Sequence, residues 1–115
     1  MKLRESGIIL FAEHYERAVE FYTERMGLPL RERGKGLSVL DFGGSYLMIE
    51  EDGVSSAEEK TRGQNPTVLR LNVNDFDATV RELQGRGVDV KVLSFDWGTI
   101  GVIIDPEGNR IEIKD

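Results

Sequence analysis

Apolar residues form two patterns along this 115-residue chain, and each pattern predicts a different kind of secondary structure. Short apolar runs rich in β-branched and aromatic residues predict strands, and the first of them is GIILFA at 7–12. Apolar residues that recur at helical spacing predict an amphipathic helix over 15–26, which Gly27 and Pro29 end. Three further strands are predicted near 29–34, 37–42 and 45–51, joined by the turn sequences GKG and GGS.

A polar stretch at 52–66 is predicted to be a linker, and the pattern restarts after it. The restart predicts a strand at 67–73 and a helix from about 76 to 84, with Phe76, Val80 and Leu83 directed inward. Strands are then predicted near 88–94, 98–104 and 109–114. The last of these follows the sequence DPEG at 105–108, which suits a type I turn.

The two halves of the chain repeat one another. The segments FAEHYERAVEFYTERMGLPL and NVNDFDATVRELQGRGVDV superpose with His14 on Asp75, and the ends of the halves match with Gly44 on Gly108. Two copies of a strand-helix-three-strand unit therefore explain the whole sequence. Neither half-sheet would bury both of its faces alone, so we expect the two units to pair around a shared concave surface.

Composition and charge exclude some classes of binding partner. With 39% apolar and 31% charged residues the chain has the make-up of an ordinary globular protein. A formal charge of −6 without a basic run argues against a nucleic-acid partner. The first eleven residues lack the features of a signal peptide and no stretch has the length of a membrane span, so no membrane partner and a cytoplasmic location are expected. The absence of cysteine excludes disulfides and thiolate chemistry.

Three segments, HYERAVEFYTERMGLPL, VNDFDATVRELQGRGV and DPEGNRIEI, identify a family resemblance. Together they resemble the vicinal oxygen chelate superfamily, which includes glyoxalase I, extradiol dioxygenases and the bleomycin- and fosfomycin-resistance proteins. The resemblance implies an α+β fold in which two βαβββ modules form a cup-shaped sheet. It places module 1 at about 1–51, the linker at about 52–66 and module 2 at about 67–115 of a single domain. It also implies a homodimer, and whether the modules pair within one chain or swap across the dimer stays open.

Metalloenzymes of the superfamily carry ligands on the first and last strand of each module. Carried onto this chain, those four positions fall on Gly7, Met48, Val68 and Glu112. Only Glu112 is a ligand, whereas a divalent ion typically needs at least three protein groups. We therefore expect no metal and no other cofactor.

The same alignment divides the strand residues between two faces. The aliphatic face, expected to pack on the helices, carries Ile8, Leu10, Ala12, Leu47, Ile49, Leu69, Leu71, Val73, Ile111 and Ile113. The mixed face would line the cup. We take as candidate ligand-binding residues Phe11, Tyr46, Met48, Arg70 and Glu112 from that face, with Phe95 and Trp97 at the start of a strand.

Several of these residues have a structural alternative. Glu112 is either an acceptor for a ligand or the ion-pair partner of Arg70. Trp97 suits a dimer interface as well as a ligand. His14, the only histidine, is expected to cap the first helix, and no residue is assigned a catalytic role.

The function that these expectations favour is metal-free binding of a small molecule, with sequestration of an antibiotic-like or aromatic ligand as its role. An acidic protein suits a cationic ligand, although Arg70 would suit an anionic group. The alternatives are a metal-dependent lyase, isomerase or dioxygenase of the glyoxalase type, which would use a relocated metal or acid-base chemistry by Glu112, and a dimeric module that binds no ligand.

Overall fold

The structure, a computed structural model, describes residues 1–115. The chain divides into two compact units, Met1–Ser55 and Ser56–Asp115. Each unit holds one four-stranded mixed sheet and one helical segment in the order strand, helix, three strands. This arrangement confirms the predicted α+β class and the two βαβββ modules. Neither helix has the length and apolar character that crossing a membrane requires.

The first unit has its strands in the spatial order β1-β4-β3-β2, with β1 and β4 parallel and the other neighbours antiparallel. Its elements are β1 (Gly7–Ala12), α1 (Tyr15–Glu20) with a π-helical continuation (Phe21–Arg25), β2 (Leu30–Arg33), β3 (Leu37–Phe42) and β4 (Ser45–Glu51).

The second unit repeats this topology, in the order β5-β8-β7-β6 with β5 and β8 parallel. Its elements are β5 (Leu69–Asn72), α2 (Phe76–Gly85), β6 (Lys91–Phe95), β7 (Gly98–Ile104) and β8 (Arg110–Lys114).

The end of α2 explains why β6 begins later than its predicted start at 88. Gly87, at φ +83°, and Val88 close the helix in a Schellman motif, in which Val88 N–H donates to Leu83 O (3.0 Å) and Gly87 N–H to Gln84 O (3.0 Å). Val88 is buried as the apolar residue of this motif. Its β-branched side chain is typical of a strand, which is why the sequence predicts one here, but Val88 belongs to the motif that ends α2.

Alternation along the central strands separates core from surface as predicted. Leu47 and Ile49 on β4 are fully buried, as are Ile111 and Ile113 on β8. Ile8 departs from the prediction, because its side chain is 40% exposed although it was assigned to the helix-packed face. It lies on the edge strand β1, whereas α1 packs mainly against the neighbouring strand β4.

The two helix starts differ although they occupy equivalent positions in the repeat. The Asp75 carboxylate accepts a hydrogen bond from Ala78 N–H (3.0 Å) and caps α2. His14 makes no side-chain capping bond, so the predicted capping role was wrong. Its Nε2 lies instead 3.5 Å from the Glu13 carboxylate.

The segment Ser56–Pro66, which we call the strap, is hydrogen-bonded to the turn before β8. Ser56 N–H donates to Glu107 O (3.0 Å), and Lys60 N–H donates to Gly108 O (2.8 Å). The turn itself closes through Gly108 N–H to Asp105 O (3.0 Å), which is the hydrogen bond of a β-turn. The polar stretch that the sequence presents as a linker therefore has defined backbone partners within the second unit from Ser56 onward.

Candidate functional site

Glu112 occupies the centre of β8 and its side chain is held by two arginines. The pairing of β5 with β8 sets Arg70 directly opposite Glu112. Glu112 Oε1 accepts hydrogen bonds from Arg70 Nε (3.1 Å) and Nη2 (2.5 Å), and Oε2 accepts one from Arg110 Nε (2.9 Å). The residue is only 8% exposed, so both carboxylate oxygens are committed to protein partners.

Opposing effects act on the pKa of Glu112. Burial on its own raises the pKa, but the hydrogen bonds and charges of Arg70 and Arg110 together lower it by more, so that the net shift is below the ordinary value. The carboxylate is therefore ionised at neutral pH and is a poor proton acceptor. This geometry does not favour the acid-base role that one of the alternative functions requires.

The lowered pKa predicts how stability responds to acid. Because the pKa of Glu112 is lower in the folded than in the unfolded chain, its contribution is complete above the ordinary value of 4.5 and is lost as the pH falls through the folded-state value. Denaturant unfolding followed from pH 7 to pH 3 should show a loss of stability below about pH 4.5 that is smaller in Glu112→Gln. Glu5, whose pKa is lowered chiefly by its hydrogen bond from Arg31, adds acid sensitivity of its own, so Glu5→Gln is the control that should retain the part due to Glu112.

Phe95 and Trp97 form a second feature, which we call the aromatic platform. Phe95 ends β6, Gly98 begins β7, and Asp96 and Trp97 form the two-residue loop of this hairpin. The rings of Phe95 and Trp97 are stacked, with centroids 5.1 Å apart and planes 4° from parallel. Trp97 is 57% exposed and Phe95 48% exposed, so the pair presents aromatic surface to solvent.

Two cations flank the aromatic platform. The Cζ atom of Arg70 lies 5.8 Å from the centroid of Trp97, and Nζ of Lys114 lies 5.9 Å from it. Both distances are within the range of a cation–π interaction. Lys114 forms no ion pair, and its ammonium makes only a long hydrogen bond (3.5 Å) to the backbone oxygen of Asp115. Arg70 uses Nε and Nη2 for Glu112, which leaves Nη1 without a hydrogen-bond partner.

Lys114 also lines a pocket of about 430 Å³ in the second unit. The other residues around this pocket are Phe76, Asp77, Val92, Gly98, Thr99 and Asp115. Because Lys114 contributes both to the pocket wall and to the surroundings of Trp97, the platform adjoins a space of the size that small-molecule sites have.

The structure groups the candidate residues by unit. Arg70, Phe95, Trp97 and Glu112 come together in the second unit, through contacts between Arg70 and both Glu112 and Trp97. The other three, Phe11, Tyr46 and Met48, lie in the first unit. Register pairs Gly7 with Tyr46, Ile9 with Met48 and Phe11 with Glu50, so these side chains share one face of the β1–β4 ladder. Phe11 is 49% exposed, and Tyr46 and Met48 are half-buried.

Two residues of the second-unit cluster, Arg110 and Lys114, are absent from the candidates chosen by sequence. Both alternate with the buried Ile111 and Ile113 and therefore share the face of Glu112. The spacing of two already assigns both to the mixed face in the sequence, although neither was chosen as a candidate ligand-binding residue. What the sequence could not supply was the hairpin that carries Trp97 to the end of β8.

The residues at the superfamily's ligand positions do not fit a divalent metal ion. Gly7 offers no side chain, and the ring of Tyr46 fills the space that a side chain there would enter. Both oxygens of Glu112 are held by arginines, whose charges oppose a bound cation. In the whole chain no group of three or more His, Asp or Glu side chains is arranged to hold a metal ion.

Comparison with known proteins agrees with this fold. The sequence model of the Glyoxalase/Bleomycin resistance protein/Dioxygenase superfamily matches residues 6–113, and the chain belongs to that superfamily, which confirms the resemblance. The protein YraH of Bacillus subtilis (strain 168) is 28% identical, with the match covering 98% of this chain and 97% of YraH.

Two solved structures illustrate the breadth of the similarity. A glyoxalase/bleomycin resistance protein/dioxygenase from Alicyclobacillus acidocaldarius superposes with a TM-score of 0.79 at 22% identity, covering 96% of this chain and 89% of that one. A lactoylglutathione lyase from Agrobacterium tumefaciens gives a TM-score of 0.73 at 19% identity, covering 94% and 90%. At these identities the likeness establishes the fold alone, and the ligand has to be inferred from the residues of the site.

Proposed function

We propose that this protein binds a planar organic small molecule, without a metal ion, on the aromatic platform of its second unit. The observation that carries the proposal is the stacked and exposed pair of Phe95 and Trp97 with two cations within 6 Å of the indole centre. A planar ligand stacking on these rings would remove apolar surface from water, and stacked aromatic pairs add about 0.5–1.5 kcal/mol beyond that burial.

The platform is also preorganised. Phe95 lies parallel to Trp97, and the indole stands in a two-residue loop between paired strands, so its orientation is constrained before a ligand arrives. Side chains that are already ordered lose less conformational entropy on binding. Rigid aromatic anchors of this kind are typical of recognition surfaces.

Binding is better supported than catalysis by the chemistry around the platform. The buried carboxylate beside the platform, Glu112, is ionised and held at both oxygens. The residues at the family's ligand positions do not fit a metal ion. The homodimer implied by the resemblance is retained as part of the proposal, because the exposed apolar side chains Ile8, Ile9 and Phe11 on the edge strand β1 suit coverage by a second copy.

Ligand binding can be read directly from Trp97, because it is the only tryptophan in the chain. We expect Phe95→Leu, which keeps the reporter, to weaken binding of planar aromatic compounds about tenfold while lowering the free energy of unfolding by less than about 1 kcal/mol, since the side chain is half exposed. Trp97 fluorescence and calorimetry would measure the affinity, and denaturant unfolding the stability.

Phe42→Leu is the matched control, because it makes the same chemical change at the end of β3 in the first unit. It should leave affinity unchanged. Adding a chelator should also leave affinity unchanged if no metal takes part. A Phe95→Leu protein with unaltered affinity, or a loss of binding on chelation, would contradict the proposal, and sedimentation of the variants would show whether the platform instead supports self-association.

A further inference from the structure

We infer that the ligand of this site is a planar aromatic anion, such as an aryl carboxylate, recognised by Trp97, Arg70 and Lys114 together. This inference rests on the proposed function and adds the charge of the ligand to it. It runs against the preference for a cation that the formal charge of −6 suggests for the whole chain.

The local charge beside the platform differs in sign from that of the chain. Arg70 and Arg110 share the Glu112 carboxylate, and Nη1 of Arg110 lies 3.7 Å from the Glu59 carboxylate. Lys114 adds a third cation that forms no ion pair. Arg62 also pairs with Glu59, so the cluster holds four cations and two carboxylates, and the Lys114 ammonium near Trp97 is the cation that has no carboxylate partner.

The hydrogen-bond donors that have no acceptor in the protein also favour an anionic ligand. Arg70 Nη1 and Lys114 Nζ belong to side chains that both lie within 6 Å of the Trp97 centroid. Glu112 fixes the Nε edge of Arg70, and therefore acts as a positioning residue that orients the guanidinium before a ligand binds. A carboxylate attached to a ring on the platform could accept hydrogen bonds from both cations, and such charge-assisted bonds are the strong class.

A cationic ligand would find fewer partners at the same place. Its natural acceptor, Glu112, is buried and has both oxygens engaged. Asp96 in the hairpin loop, and Asp77 and Asp115 in the wall of the pocket beside Lys114, form no ion pair with Arg70 or Lys114, so they do not neutralise the two cations directly. Against a cation, Arg70 and Lys114 would both be repulsive.

Three probes of one shape test the inference: 2-naphthoate, 2-naphthamide and 2-naphthylmethylammonium. The single indole N–H resonance of Trp97 would report binding in the intact protein, with affinities taken from its shift during titration. We expect 2-naphthoate to bind about tenfold more tightly than the amide at low salt, and the ammonium probe to bind most weakly. The advantage of 2-naphthoate should shrink as salt screens the exposed charges.

Two variants assign that advantage to residues. Lys114→Gln should reduce the ratio of naphthoate to naphthamide affinity severalfold without unfolding the protein, because Lys114 forms no ion pair. Arg70→Gln should reduce it as well. Lys91→Gln, which makes the same charge change on the exposed start of β6, should leave the ratio as it is.

The outcomes separate the inference from the function on which it rests. Tighter binding of the ammonium probe, or equal binding of all three with no effect of Lys114→Gln, would overturn the inference and leave the aromatic binding site standing. Failure of every probe to shift the indole resonance at millimolar concentration would overturn the proposed function, and the inference with it.

Discussion

Replacing Glu112 by glutamine is expected to lower the free energy of unfolding by about 2 kcal/mol, which is the range measured for hydrogen bonds to charged groups. The amide oxygen can accept from one arginine, but the amide nitrogen then faces the N–H groups of the other. Arg70 and Arg110 would lose their shared countercharge on a residue that is 8% exposed. The cost stays below the 3–5 kcal/mol of a fully buried broken pair, because the side chain of Arg70 is 44% exposed and can turn to water.

Glu82→Gln provides the comparison for this prediction. Glu82 pairs with Arg86 one helical turn later, and both side chains are exposed, so the loss should be about 0.5 kcal/mol or less. Denaturant unfolding of both variants at pH 7 measures the difference. Equal, small losses would mean that Glu112 does not hold the two arginines in solution and is free to serve a ligand, which is the other role that the sequence left open.

The sequence was sufficient to predict the order of helices and strands, because the local residue patterns agree with the burial that each element has in the fold. Alternation in RIEIK placed β8 and its two faces. The repeat added long-range information, since the match of Gly108 with Gly44 was part of the evidence for two copies of one strand-helix-three-strand unit. Both sheets do have the same order.

Other features depend on contacts that no local pattern encodes. The helix at 15–26 ends in a π-helical turn, with Met26 N–H donating to Phe21 O (2.8 Å), although its apolar spacing predicts a regular helix. The strap has the polar composition of a free linker, yet its backbone pairs with the turn before β8.

For the candidate site, sequence could name the aromatic and charged residues but could not bring them together. Arg70 and Glu112 are 42 positions apart and meet only through the parallel register of β5 and β8. Trp97 reaches Lys114 because the β6–β7 hairpin ends beside the end of β8, where Ile100 pairs with Lys114. The overall acidity of the chain therefore gave no indication that Arg70 and the unpaired Lys114 lie beside the exposed Phe95 and Trp97.

The strap makes Gly108 a glycine at which alanine should be strongly destabilising. Gly108 has φ +90°, where an L side chain is strained by about 1–2 kcal/mol. A Cβ atom there would also lie 2.6 Å from Glu58 O and 3.0 Å from Ser56 O, both of them backbone atoms. The strap can retreat only by giving up hydrogen bonds such as Lys60 N–H to Gly108 O, so we expect Gly108→Ala to cost about 3–4 kcal/mol in all.

Gly44→Ala is the control that the repeat itself supplies. Gly44 stands at the equivalent turn of the first unit with φ +93°, and nothing lies within 4 Å of the position its Cβ would take. It should therefore cost only the backbone strain of about 1–2 kcal/mol. Thermal and denaturant unfolding of the two variants isolates the difference, and about 2 kcal/mol more at Gly108 is the expected contribution of the packed strap. Equal losses would mean that Ser56–Pro66 moves aside freely and is, in solution, the loose linker that its composition suggests.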